Sequence, residues 1–418
     1  MSILHGTPPA PTPWPSVWLS VSPPRFRTAY HLHLSSAPPS PPPSLAVLAP
    51  LAGPEVCAQA VRVLEAVGTA FGHSFAFTEA LVGGAAWEAT GEHLPAATLA
   101  ACARADAILF GSVGGPVHLQ HEKKWADAER NAILGMRKHF SLAINVRPSK
   151  VYAALAHLSP LKAEVIGGGV DIVIIRELVG GAYFGAHETS ADGRFARDDM
   201  TYTWEQCEAA LRFGFVTAQA RKKVLTVVDK ANVLETSRLW RKVAKAVAPD
   251  YADVRLEFMY VDNAAMQLVT RPSAFDVIVT ENLFGDILSD EASVLPGSLG
   301  LMPSASLTTN AAGESGTGRL RKLHLFEPIG GTAPDIAGKG VANPIAQILS
   351  AALLLRFGLG LEAEARAVEE AVDAALAAGL RTGDLKGAAT TAGAAATTSV
   401  GSAGMGDFIV AQVLARKP

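Results

Sequence analysis

Cysteine is nearly missing from this 418-residue chain: Cys57, Cys102 and Cys207 stand far apart, and no C-x-x-C pair occurs. That excludes a disulfide framework and gives no zinc-ligand spacing, so a reducing compartment fits best. Charge of one sign is missing too, because 36 basic against 39 acidic residues leave a net charge of -3, and aromatics make up only 7%. Without a broad basic field, neither a nucleic-acid partner nor an anionic membrane surface is expected, and the partner is a small molecule. No run approaches the roughly 18 consecutive apolar residues that a membrane span needs. A Walker-type phosphate loop is absent, and no G-x-G-x-x-G follows a strand-like run. The nearest approach, Gly358-x-Gly360-x-x-Ala363, follows a helical stretch, so a nucleotide, if bound, is held by another route.

What is present falls into two unequal parts. Residues 1–43 hold 12 of the 26 prolines, and no acid occurs before Glu55. Continuous helix or a central strand is excluded there, and a disordered Pro-rich tail is expected. Arg25, Arg27 and the serines loosely resemble a mitochondrial presequence, but the prolines prevent the amphipathic helix that import requires. A cytoplasmic protein is the expectation. From residue 44 onward, short apolar runs at 45–48, 107–110, 171–175, 224–228 and 275–279 alternate with stretches of helical period such as 55–67 and 237–247. This is an α/β chain. Runs such as DIVII and DVIVT, apolar on both faces, imply sheets covered by helices on both sides, and a mixed sheet with an antiparallel arm reads the same way. GESGTG (313–318) reads as a loop and the Ala/Thr/Gly-rich run 387–401 as poorly ordered, and no internal repeat is found.

Chemistry concentrates between Arg137 and Asp335. Arg137 in GMRK, Arg147 in INVRP and Arg176 at the end of DIVIIRE sit in apolar or turn-rich settings. Each alone is most simply a solvated or paired arginine. Together they suit a small dianion, since guanidinium groups hold carboxylates bidentately. Asp286 and Asp290 in ENLFGDILSDEAS are four apart after a plausible helix cap at Thr280, which puts both on one helical face. With Asp262 they would offer the hard oxygen ligands that Mg²⁺ or Mn²⁺ prefers, the plain alternative being capping or surface aspartates. Lys230 follows a buried-looking strand, where an amine can be tuned as a general base. Tyr183, in the glycine-rich GGAYFG turn, is either a proton donor or a packed aromatic. Base, acid, metal and carboxylate clamp together suggest oxidation and decarboxylation of a hydroxy-dicarboxylate.

RELVGGAYFG (176–185), VDKANVL (228–234), LFGDILSDEASVLPGSLGLMPSASL (283–307) and APDIAGKGVANPIA (333–346) are long, ordered and specific. From about residue 44 to the C-terminus the chain resembles the 3-isopropylmalate dehydrogenases, within the isocitrate and isopropylmalate dehydrogenase superfamily. SRLWRK (237–242) and AGLRTGDL (378–385) look most like the fungal versions. The resemblance implies a two-domain α/β fold with mixed sheets flanked by helices, distinct from a Rossmann fold. The first, cofactor-side domain would comprise 44–142 and 297–418, and the second, carrying dimerisation and metal and substrate groups, 143–296. It also implies a homodimer whose active site is shared between subunits.

In that resemblance Arg137, Arg147 and Arg176 hold the malate carboxylates, and Asp262, Asp286 and Asp290 hold Mg²⁺ or Mn²⁺, with Asp262 also meeting substrate. Lys230 and Asp262 come from the partner subunit. Lys230 helps to remove the hydroxyl proton and Tyr183 protonates the enol, giving 4-methyl-2-oxopentanoate in leucine biosynthesis. NAD lies against the 111–116 segment, including Gly114 and Gly115, and against Glu327, Gly330, Gly331, Asp335 and Asn343. The acid at Asp335 favours ribose hydroxyls over a 2′-phosphate, hence NAD⁺ over NADP⁺. Isocitrate enzymes carry serine and asparagine six and four residues before the first arginine. Here these are Asn131 and Ile133, and the apolar Ile133–Leu134 pair favours an isopropyl group.

Three departures from the family pattern stand out. APLAGPE (49–55) replaces a G-D-G-I-G-P-E turn, Gly330 replaces a histidine after Glu327-Pro328-Ile329, and Arg130 falls where the family glutamate approaches nicotinamide and substrate, unless the longer preceding segment shifts the register. They keep two further readings open beside 3-isopropylmalate: a dehydrogenase for another 3-substituted malate, and a catalytically weakened paralogue.

Overall fold

The computed structural model of the protein describes residues 43–48, 54–309, 312–314, 320–321, 323–386 and 397–416. The Pro-rich segment, save Pro43, and residues 49–53 of the altered turn lie outside the described residues, as do parts of 313–318 and 387–401. Ten strands make the principal sheet: β1 (Ser44–Leu48), β2 (Ala76–Ala80), β3 (Ala107–Phe110), β4 (Leu142–Lys150), β5 (Asp171–Glu177), β6 (Val224–Asp229), β7 (Arg255–Tyr260), β8 (Val277–Thr280), β9 (Pro303–Thr308) and β10 (Leu325–Pro328). Their spatial order is β2-β1-β3-β10-β9-β4-β5-β8-β6-β7. The two flanks, β2-β1-β3-β10 and β5-β8-β6-β7, are parallel, whereas β10, β9, β4 and β5 meet antiparallel. The sheet is therefore mixed, with the nine-residue strand β4 and its antiparallel neighbour β9 joining a flank built from residues 44–110 and 325–328 to one built from 171–280.

The apolar runs earn these positions. Apart from Asp171, β5 is buried along its length, and so is β8, as strands covered on both faces must be. Pro148 lies inside β4, yet β9 pairs with β4 no further along than Val146, so the missing N–H falls where only β5 is a neighbour. Around the sheet pack α1 (Pro54–Phe71), α2 (Trp204–Gln219), α3 (Glu235–Val247), α4 (Val261–Thr270), α5 (Asn282–Ser293), α6 (Ile345–Leu353), α7 (Glu362–Ala377) and α8 (Ser402–Leu414). α3 buries Trp240, Val243, Ala244 and Val247, a helical stripe in which each large apolar side chain contributes about 1.5–3 kcal/mol. α1 packs on α6 and α8, which ties both ends of the described chain into one flank. Gly358-x-Gly360 follows the helical turn Leu354–Gly358 rather than a strand, so no Rossmann loop forms.

Candidate active site

Arg176 occupies the next-to-last position of β5 and is 2% exposed. It can run against α5 because residue 285 is glycine: a Cβ there would lie 2.6 Å from Arg176 Cγ. Its Nε donates to Asn282 Oδ1 at 2.9 Å, and its Nη1 pairs with Asp286 Oδ1. The other Asp286 oxygen accepts from the Tyr183 hydroxyl at 2.7 Å. One turn along, Asp290 accepts from Arg147 Nη1 at 2.8 Å, and Arg147 also donates to Ser289 Oγ at 2.6 Å. Asp286 and Asp290 share a helical face, as their spacing predicts. The cap of α5 is Glu281 rather than Thr280: its carboxylate accepts from the backbone N–H groups of Leu283 and Phe284, while Thr280 ends the strand. A carboxylate spans two N–H donors where a threonine hydroxyl satisfies one.

Arg137, on the turn Gly135–His139, donates to Glu327 Oε1 at 3.1 Å. A cavity of about 220 Å³ is walled by Ile133, Arg137, Arg147, Glu327, Gly330 and Gly331, among others. Arg147 thus reaches both the cavity and the aspartate helix. Leu134 is half-buried and is not part of the wall. Arg137 Nε and Arg147 Nε are buried without a hydrogen-bond partner among the described residues, so the cluster holds more donor capacity than its own acids use.

Burial and the neighbouring arginines push the Arg176 guanidinium down to about 10 against the pull of Asp286. Burial lowers Arg147 as well, opposed by Asp290 and reinforced by Arg137. For Asp286, burial pushes upward, but Arg176, the Tyr183 bond, Arg147 and Arg137 outweigh it and hold the carboxyl below its ordinary range. The Tyr183 phenol is pushed up to about 12 by burial and by donating to Asp286. It therefore keeps its proton at neutral pH and can give it up only to a stronger base.

Register before Arg137 differs from a count by spacing. Residues Arg130–Leu134 form a π-helical turn, with the Gly135 N–H bonded to Arg130 O. Side chains four apart drift about 40° in an α-helix, and a wider turn drifts the other way. Glu129, Ile133 and Arg137 accordingly face the same cavity, with the Glu129 carboxylate beside Gly114. Arg130 is exposed and outside the wall. The acid at this wall is Glu129, which corrects the placement of Arg130 there.

Lys230 and Asp262 lie apart from this cluster. Lys230 follows β6, Asp262 opens α4, and Lys230 Nζ donates to Asp262 Oδ1 at 2.6 Å, the side chains being 28% and 61% exposed. That bond lowers the Asp262 carboxyl. Among the described residues, no three His, Cys, Asp or Glu side chains come together as a metal site, so one chain does not join Asp262 to Asp286 and Asp290. On the cofactor side, Gly114 has φ +151°, and Gly115 is packed under Trp125, a Cβ there lying 2.4 Å from the indole. Asp335 is exposed on the turn Pro334–Ile336, while Asn343 donates to Asp384 and its side-chain oxygen accepts from Ile345 N–H at the start of α6. Neither walls the cavity.

Sequence reasoning passed over Glu129, Ser289, Asn282, Glu281, Glu177 and Tyr202. Only Glu281 carried a usable signal, an acid directly before a helical run.

The chain matches the isocitrate/isopropylmalate dehydrogenase family over residues 47–404. It is 52% identical to the 3-isopropylmalate dehydrogenase of Bacillus subtilis over 337 residues, 80% of this chain and 88% of that one. It is 49% identical to that of Sodalis glossinidius over 364 residues, 86% and 94% of the two chains. Among solved structures, the isocitrate dehydrogenase from Methylococcus capsulatus superposes with a TM-score of 0.74 at 32% identity, covering 89% of this chain and 99% of that one. The chain belongs to the isocitrate/isopropylmalate dehydrogenase family.

Proposed function

We propose that this protein oxidises and decarboxylates 3-isopropylmalate to 4-methyl-2-oxopentanoate with NAD⁺, the dehydrogenase step of leucine biosynthesis. The observation that carries this reading is the buried trio Arg137, Arg147 and Arg176 beside a cavity that also exposes Ile133, in a chain half identical to 3-isopropylmalate dehydrogenases. Two arginines with unspent donors suit a dicarboxylate, and Ile133 gives its alkyl branch an apolar contact. Leu134 is assigned to the second layer behind it.

The donor chemistry fits a divalent ion in part. Asp286 and Asp290 offer hard carboxylate oxygens one helical turn apart, which suits Mg²⁺ or Mn²⁺. The third ligand, Asp262, is exposed and paired with Lys230 in the same chain, so we assign it, with Lys230, to the site of a second copy. The exposed apolar side chains Tyr260, Met266, Val269, Ile287 and Val294 on and beside α4 and α5 support a homodimer through that face. NAD⁺ fits beside the Gly114–Gly115 and Gly330–Gly331 turns and Glu327, with Asp335 free to meet the ribose hydroxyls and Asn343 at the outer end. When bound there, NAD⁺ would supply the hydride acceptor and the divalent ion, held by Asp286 and Asp290, a Lewis acid for the substrate oxygens. Lys230 takes up the hydroxyl proton, the three arginines fix the carboxylates, and Tyr183 returns a proton to carbon.

Residues 44–142 with 297–418 form the cofactor-side domain in this reading, and 143–296 the other. No helix of the described residues is long and apolar enough to cross a membrane, and location in the cytoplasm belongs to the same proposal. The test is NADH formation by the purified protein with Mg²⁺, comparing 3-isopropylmalate, isocitrate and 3-benzylmalate. Fastest turnover of 3-isopropylmalate is expected. A preference for the aryl compound would reassign the enzyme to another 3-substituted malate, and no NADH from any of the three would overturn the reading in favour of a weakened paralogue.

A further inference from the structure

The Tyr183 hydroxyl stands on a loop that offers little rigidity of its own: residues 178–184 hold one short turn, Gly181–Tyr183, preceded by a further glycine, Gly180. Its backbone is nevertheless pinned. Val179 N–H and Gly180 N–H both donate to the Glu177 carboxylate at 2.9 Å, and Gly181 N–H donates to Thr201 O at 3.0 Å. The Gly180 carbonyl accepts from Asn282 Nδ2 at 3.0 Å. The other end of the same amide, Asn282 Oδ1, accepts from Arg176 Nε at 2.9 Å. Asn282 is itself held, since its backbone N–H donates to the Tyr202 hydroxyl at 2.9 Å, and that hydroxyl donates to Glu281 at 3.1 Å. Gly181 has φ +71°, and a Cβ there would lie 2.4 Å from Tyr202 Oη, so the loop has no room to slide toward α5.

We propose that Asn282 is a positioning residue that fixes the Tyr183 loop and the Arg176 guanidinium relative to each other, with Tyr202 holding Asn282 in place. The amide is 1% exposed and sits at the first position of α5, the helix that also carries Asp286 and Asp290. One side chain therefore registers three parts of the site: the substrate-carboxylate arginine, the proton donor and the aspartate helix. A hydroxyl misplaced by about 1 Å can cost 10²-fold in rate, which is what this brace prevents. The inference rests on the proposed role of Tyr183 in 3-isopropylmalate turnover.

The test is a double-mutant cycle on the full chain with Mg²⁺, NAD⁺ and 3-isopropylmalate, using Asn282→Ala, Tyr183→Phe and the pair. Alone, Asn282→Ala is expected to lower kcat about 10- to 100-fold. In the Tyr183→Phe background the loss is expected to be smaller, because the part that acts through the hydroxyl is already gone and only the part that acts through Arg176 remains. Equal loss in both backgrounds would overturn the proposal. Asn282→Asp keeps the acceptor for Arg176 but loses the donor to Gly180, so it should lower kcat with KM for 3-isopropylmalate held. It also serves if the alanine variant does not fold. Hydrogen exchange gives a readout without substrate: the 178–184 amides should exchange faster in either variant while β5 keeps its protection. If the wild type failed to turn over 3-isopropylmalate, the functional reading would fall. The brace would then stand on faster loop exchange, or fall with unchanged exchange.

Discussion

The proposed site has two halves that differ in kind. Arg147, Arg176, Tyr183, Asp286 and Asp290 are bonded to one another within one chain, around a buried guanidinium 2% exposed. The Lys230 ammonium and the Asp262 carboxylate pair with each other instead, at partly exposed positions apart from that cluster. The first half is assembled by folding, because β5, β4 and α5 must pack for the sheet to exist at all. In the proposed homodimer the second half would complete the site of a second copy, so the distance of Lys230 from the cavity in one chain would not be its distance in the assembly.

The most severe way to break this comparison is Lys230→Met. It is expected to lower kcat about 10²- to 10⁴-fold, the usual worth of a general base, with the melting temperature and dimer mass unchanged. Normal kcat would leave the exposed half without a role. Asp286→Asn attacks the other half and is expected to abolish most Mg²⁺-dependent NADH formation, as should chelation of the metal from the wild type, with recovery on adding Mg²⁺ or Mn²⁺ in the second case only. Mixing the two inactive variants sharpens the comparison further. If the halves come from different subunits, reassociated mixed dimers hold one intact site, and activity should return to about one quarter of wild type. If both halves work in one chain, mixing restores nothing.

The smallest effect concerns Glu177, which burial raises to about 7 despite its two backbone N–H donors. A carboxyl raised on folding adds stability that is complete below its unfolded value and is lost as pH rises through about 7. The melting temperature should fall between about pH 4.5 and 7, and Glu177→Gln should flatten that fall by about 3 °C. An unchanged slope would place the titration elsewhere.

How much of this could be read in advance follows from how each residue is held. DIVIIRE announced a strand because both its faces are apolar, and Arg176 at its end followed. Asp286 and Asp290 were legible because i and i+4 is a helix's own spacing. Arg147 was visible as an arginine but not as part of a nine-residue strand, since Pro148 argues against one until the limit of the β9 pairing is known. The separation of Lys230 from Asp286 is a tertiary fact that no local pattern encodes. Asn282 was hidden because its work is done by two bonds to groups 102 and 106 residues away.

The π-helical turn at Arg130–Leu134 has a consequence for length. It stores one extra residue inside a helix, so the segment before it can lengthen while Arg137 keeps its place. It also makes the facing acid depend on winding: closing the turn to ordinary pitch with every residue kept would swing Glu129 about 100° around the axis, away from Gly114, whereas removing one residue would let the helix close and leave Glu129 in phase with Arg137. The pitch of that turn therefore sets which charge meets the ligand, with no side chain exchanged.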